Sequence, residues 1–151
     1  MVYKEKYVEY MNIAIEKAKK AYKLGEIPVG AIIVQNNKII GSGFNQRERK
    51  NNALAHAEIL AINSACKKLK SWRLLNSAMF VTLEPCVMCS GAILNAKIEK
   101  VVFGTKSYEK TIFGSLNETN KFLHCNRLKI ISGVCEKECK KIIQKFFKNL
   151  R

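Results

Sequence analysis

His56, Glu58, Cys86 and Cys89 are the residues whose types and spacing could do chemistry, standing as His-x-Glu and then Pro-Cys-x-x-Cys from Pro85. Two thiols and an imidazole are donors that suit zinc. Cys86 and Cys89 lie three apart at an expected helix start, so their sulfurs can face one point, and the positive helix end favours the thiolates a metal requires. His56 falls at a second expected helix start, so two positive ends would converge on one Zn2+. Three protein ligands leave a fourth tetrahedral position open, which separates a catalytic zinc from a structural one. Glu58 adds a carboxylate that can take a proton from water and deliver it to a substrate; its expected role is catalytic, not metal-ligating. In a regular helix, residues two apart point roughly 200° apart. His56 and Glu58 can therefore serve one cleft only if His56 sits at the irregular helix entry.

Blander readings stand beside this one. A lone C-x-x-C also serves redox and structural sites, and a lone His near a helix start often caps it. A structural zinc would want a fourth ligand, from Cys66, Cys125, Cys135, Cys139 or His124. Cys135 and Cys139 read instead as a helix-start residue and a core-facing one. A thioredoxin-like dithiol after a strand is compatible with Cys86 and Cys89, but it leaves His56 and Glu58 without a role.

The elements that must position these residues follow from periodicity. Val8, Met11, Ile15, Ala18 and Tyr22 step by three and four and predict a helix with one apolar stripe, ended by Gly25 and Pro28. Val29 to Val34 and Ile39 to Phe44 predict two strands joined by a tight turn over Gln35-Asn36-Asn37-Lys38. Asn45 to Asn52 is a basic loop, and Ala55 to Leu69 a helix with Ile59, Ile62 and Ala65 or Cys66 inward. Ala78 to Leu83 predicts a strand, with Pro85 in the first turn of a helix running to about Ala96. Lys100 to Gly104 is the next strand, Thr105 to Gly114 a loop, Leu128 to Ser132 a last strand, and a helix starts at Glu136. Strands and helices alternate after the hairpin, so the expected fold is α/β: a three-layer α/β/α sandwich on a mixed five-stranded sheet, forming one domain over residues 1–151.

Composition narrows the class. At 151 residues and 48% hydrophobic, the chain is long and apolar enough for one buried core. Its apolar runs, of which Val29 to Val34 is typical, fall far short of the roughly 20 residues of a membrane span. The start, Met1-Val2-Tyr3-Lys4-Glu5-Lys6, lacks the apolar stretch of a secretory signal, which points to the cytoplasm and no membrane partner. Six cysteines are too sparse for a disulfide scaffold and read as thiols. The 27 basic against 12 acidic residues give +15, which points to a polyanion such as nucleic acid, though the excess is nearly all lysine.

The His-x-Glu and Pro-Cys-x-x-Cys pair is the signature of zinc nucleobase deaminases. Together with Glu26-Ile27-Pro28-Val29-Gly30-Ala31, Gly43-Phe44-Asn45, Ala55-His56-Ala57-Glu58, the run Val81 to Cys89 and Val101-Val102-Phe103-Gly104, it makes nearly the whole chain resemble the bacterial tRNA-specific adenosine deaminases. The resemblance implies a cytidine deaminase-like fold, a homodimer, one Zn2+ per subunit, and conversion of the wobble adenosine of a tRNA anticodon stem-loop to inosine. Carried over, it makes His56, Cys86 and Cys89 the zinc ligands and Glu58 the proton shuttle. Asn45 becomes a base-edge contact, Val29 lines the base pocket, and the Leu83-Glu84 backbone closes it. Arg47, Arg49, Lys50, Lys106 and Lys110 flank the expected pocket as possible RNA contacts, with a solvated surface as the plainer reading. The last helix adds Lys140, Lys141, Lys145, Lys148 and Arg151, while Phe146 and Phe147 suit core packing better than stacking on RNA. Ser107 stands where the family usually has an acidic residue; its hydroxyl can meet a sugar or phosphate. The family's Asn-His near the last strand reads Cys125-Asn126 here, with His124 displaced. The other readings are a deaminase of a free nucleobase or nucleoside, of guanine or cytosine type, and a non-catalytic zinc-stabilised RNA-binding module.

Overall fold

Asn36 and Asn37 both take positive φ, 50° and 61°, the backbone of the two-residue turn whose twist matches its flanking strands. They join β1 (Gly30–Gln35) to β2 (Lys38–Phe44), as the paired asparagines predicted. The computed structural model describes residues 2–107 and 128–150. Before the hairpin runs α1 (Val2–Lys23), followed by Gly25 at φ 75°. After it come α2 (Ala57–Leu69), β3 (Ser77–Leu83), α3 (Val87–Asn95), β4 (Lys100–Thr105), β5 (Lys129–Ser132) and α4 (Glu136–Asn149). The sheet order is β2-β1-β3-β4-β5. β1 is antiparallel to both neighbours, whereas β3, β4 and β5 are parallel, with α3 as the crossover from β3 to β4.

Central strands buried on both faces read as near-continuous apolar runs, and alternate side chains divide between two cores. Ile33, Met79, Val81, Val101 and Phe103 pack with Ala57, Ala61, Ile62 and Ala65 of α2 and Ile93 of α3. Ile32, Val34, Phe80 and Val102 pack with Met11, Ala14 and Ile15 of α1. α4 joins both clusters, through Ile143 and Cys139 respectively. It is seated by Cys139 lying directly over Gly104, and tied to α1 where Asn149 Nδ2 donates to Tyr22 OH at 2.8 Å. The result is the expected three-layer sandwich: among the described residues, four helices around a mixed five-stranded sheet.

The approach of α2 to the sheet is set by missing side chains. A Cβ on Gly43 would stand 2.6 Å from Ala57 O and 2.8 Å from Ala61 N, and one on Gly41 2.7 Å from Ala65 N. Helix α2 therefore meets β2 along its alanines, and Ile59, expected inward, is only partly buried. α1 differs in the same sense. Its buried line runs through Met11, Ala14, Ala18 and Ala21, leaving Val8 43% exposed. Tyr7 takes that place, its ring 5.3 Å from that of Phe80. Small residues let a helix lie close, and closeness rotates which larger neighbours can reach the core.

Candidate active site

His56 and Cys86 occupy equivalent positions on different segments. His56 is the N-cap of α2 at φ −74°, ψ 154°, and Cys86 the N-cap of α3 at φ −70°, ψ 174°. Neither side chain caps its own helix, so imidazole and thiol are both left for other work. The helix entry anticipated for His56 is present, and it lets His56 and Glu58 face one cleft. Pro85 stands one residue before the N-cap and not in the first turn, because Cys86 is itself extended. Ser90 Oγ donates to Cys86 O at 2.8 Å and steadies this entry.

His56 Nδ1 lies 3.7 Å from Cys86 Sγ and 3.6 Å from Cys89 Sγ, and the three donor atoms are all within 4.8 Å of one another. Tetrahedral zinc, with Zn–N of about 2.0–2.1 Å and Zn–S of about 2.3 Å, requires N···S separations of about 3.5–3.6 Å. The donor set fits that ion. Among the described residues this group has three members; Cys66, Cys135 and Cys139 lie outside it. His124 and Cys125 fall outside the described residues.

The thiols are electrostatically unequal. The Cys86 thiol is drawn down to about 4, first because the Cys89 thiol donates to its sulfur; burial opposes this and the His56 ring adds a further bond. Cys89, as the donor to Cys86 and buried besides, is pushed up. A coordinating cation reverses the logic for Cys89, since it deprotonates a bound thiol outright. Hydrogen bonding to the Cys86 sulfur holds His56 above its ordinary value. Glu58 is 4% exposed, and that burial pushes its carboxyl above the usual carboxylate range.

His56, Glu58 and Cys86 open on a cleft of about 550 Å3, within the range of small-molecule sites. Of the expected substrate residues, Val29, Asn45, Leu83 and Glu84 line it, together with Arg47 and Ser107. Ser107 N donates to Glu84 Oε1 at 3.4 Å. Asn45 is 6% exposed and already engaged on both ends of its amide. Its Nδ2 donates to Ile27 O and its Oδ1 accepts from Arg47 N, each at 3.2 Å, leaving one proton and one lone pair for a further partner. Arg49, Lys50 and Lys106 are exposed and do not line the cleft; Lys110 lies outside the described residues.

The remaining wall comes from Ile27 and from α4, which contributes Ile143, Gln144, Phe147 and Lys148. The sequence offers Lys148 as an RNA contact and favours core packing for Phe147, but it places none of these residues in the pocket wall. Its signal was the doubled apolar pair of α4: Phe146 faces the core at 9% exposure, while Phe147 is 48% exposed and turned to the cleft.

Comparison with known proteins agrees with this geometry. Residues 5–151 match the MafB19-like deaminase family. The chain is 43% identical over 145 residues to the tRNA-specific adenosine deaminase of Bacillus subtilis (strain 168), covering 94% of this chain and 89% of that protein. It is 44% identical over 144 residues to the tRNA-specific adenosine deaminase of Buchnera aphidicola subsp. Schizaphis graminum, covering 94% of each. Among solved structures, it superposes with a TM-score of 0.81 and 31% identity on one from a study of A-to-I editing by tRNA:A34 deaminases, covering 89% of this chain and 98% of that one. With its donor set, buried glutamate and sandwich all accounted for, the chain belongs to the MafB19-like deaminases and to the family of the tRNA-specific adenosine deaminases.

Proposed function

We propose that the protein hydrolytically deaminates adenosine to inosine at the wobble position of a tRNA anticodon, with one zinc per subunit held by His56, Cys86 and Cys89. The observation that carries this is a group of three zinc-competent donors, His56, Cys86 and Cys89, two of which line one cleft together with the buried Glu58 that stands outside the group. Bound zinc supplies the field that brings the pKa of a water down towards 7. Glu58 would take one proton from the attacking water to the purine ring nitrogen as the C6–O bond forms, and then move the adduct's hydroxyl proton to the amine, so that the C6–N bond breaks, the C6 carbonyl forms and ammonia leaves neutral. Burial, which pushes its carboxyl above the usual carboxylate range, suits this traffic because it makes the protonated form easier to reach. Asn45 reads the purine edge with its remaining proton and lone pair. Val29 and the Leu83-Glu84 backbone close the base pocket, and Ser107 meets the sugar or phosphate.

Arg47 and Lys148 on the cleft and the exposed Phe147 favour a polynucleotide over a free base, since a nucleobase carries no phosphate to meet them. An anticodon loop suits the pocket because its bases are already unpaired, which reduces the cost of extruding one. The reading also takes the chain as one domain acting in the cytoplasm and, from the resemblance, as a homodimer. Leu54, 57% exposed and two residues before His56, offers apolar surface for such a dimer. Among the described residues, no helix is long and apolar enough to cross a membrane. The test is Glu58→Ala on an anticodon stem-loop with adenosine at the wobble position. The variant should retain its zinc and lose at least about 10²-fold in inosine formation. Undiminished turnover would remove the assignment.

A further inference from the structure

Glu26 is 1% exposed, sits between α1 and β1, and plays no part in the chemistry above. Its carboxylate ends on main-chain donors: Arg49 N at 2.7 Å and Glu48 N at 3.2 Å. Among the described residues it makes no ion pair, although the chain holds 27 basic residues. Next to it, Ile27 O accepts from Asn45 Nδ2, Asn45 Oδ1 accepts from Arg47 N, and Asn45 N donates to Val29 O at 3.0 Å. The segment 26–29 and the loop 45–49 are thus sewn together by bonds that all run one way, the loop donating and the segment accepting. Asn45 and Arg47 line the cleft, while residues 47–54 are otherwise exposed.

We propose that Glu26 is a positioning residue, whose buried carboxylate latches the Arg47-bearing loop to the pocket and thereby sets affinity for the RNA strand. The proposal rests on RNA being the substrate. A carboxylate is suited to the task because its bonds to N–H groups are charge-assisted and short, and both of its oxygens accept. Glutamine has the same shape but turns an NH2 towards one of the two amides, so one donor then faces another. With the latch open, Asn45 stays attached through the end of β2 and the proton chemistry at Glu58 is untouched. The Arg47 guanidinium, however, is released from the rim.

The experiment uses the zinc-loaded protein and the wobble-adenosine stem-loop. Glu26→Gln should raise KM about tenfold with kcat within about threefold and zinc content unchanged. Arg47→Ala should raise KM by a similar factor, and Glu26→Gln with Arg47→Ala should be no worse than Arg47→Ala alone, because both act through one loop. Glu26→Asp, which keeps the charge, should recover part of the loss. Amide hydrogen exchange at Glu48 and Arg49 should be slow in the parent protein and fast in Glu26→Gln. An unchanged KM, a loss confined to kcat, additive effects in the double variant, or fast exchange in the parent would each overturn the latch. Absence of inosine formation by the parent would instead overturn the substrate reading, while the exchange measurement still decides the latch.

Discussion

Alanine at Gly43 should damage the active site from behind. Its Cβ would meet Ala57 O at 2.6 Å, Ala61 N at 2.8 Å and Leu60 Cβ at 2.9 Å. The first two are backbone atoms, so no rotamer change relieves them. To restore 3.4 Å, the edge of ordinary contact, the first turn of α2 must retreat by about 0.8 Å. Ala57 lies between His56 and Glu58, so that retreat moves both. Overpacking of this kind costs about 1–3 kcal/mol, and a displacement near 1 Å at reacting groups can cost about 10²-fold in rate. Gly41→Ala is the control. It clashes with Ala61 O and Ala65 N, further along α2, and should cost at least as much stability while disturbing His56 and Glu58 less. Thermal unfolding, zinc stoichiometry and single-turnover inosine formation separate the two. Both variants should melt lower, by about 2–4 °C per kcal/mol, but only Gly43→Ala should lose about 10–100-fold in rate. Equal rate losses in the two variants, or a parental rate in Gly43→Ala, would refute the transmission of the clash along α2.

Thr82 is fully buried and its Oγ1 accepts from Gly30 N at 3.2 Å, so Thr82→Val should lose about 1–3 kcal/mol by orphaning that amide, with Thr82→Ser retaining most of it. Chemical denaturation checks this, and equal stability of Thr82→Val and parent would contradict it. Cys139 is fully buried, and that burial pushes its thiol up to about 12. At pH 8 the native protein should be alkylated at the partly exposed Cys66 and Cys135 while Cys139 is spared until unfolding; peptide mapping showing equal labelling would count against the seating of α4. RNA affinity should fall steeply with salt, by about 0.7 log units per log unit of salt for each single-stranded phosphate contacted. With Arg47 and Lys148 lining the cleft, a slope steeper than about −1.4 is expected, and a flat plot would dismiss the basic rim.

What could be read from sequence was what local physics determines. The Asn36-Asn37 turn, the alternation of strands with helices, and the helix entry at His56 each follow from a few neighbouring residues, and all are present. The grouping of His56 with Cys86 and Cys89 was legible because metal donors declare themselves by type as well as position. Other features depend on what lies opposite in space. Glu26 stands in a motif that carries the family resemblance but declares no partner there, and only the fold brings the amides of Glu48 and Arg49 to it. Val8 and Ile59 fit their apolar stripes, but the alanines beside them govern how closely each helix lies. Phe147 could not be assigned to the cleft, because helical periodicity gives the direction of a side chain and not what it meets.

The donors for the ion are all in place by Cys89, whereas one flank of the base cleft comes from residues 143–148 of α4. During synthesis on the ribosome, the nascent polypeptide therefore presents its complete metal donor set well before it can grip a substrate. A chain ending after β4 would carry all three donors but lack the wall that Ile143, Gln144, Phe147 and Lys148 give the cleft.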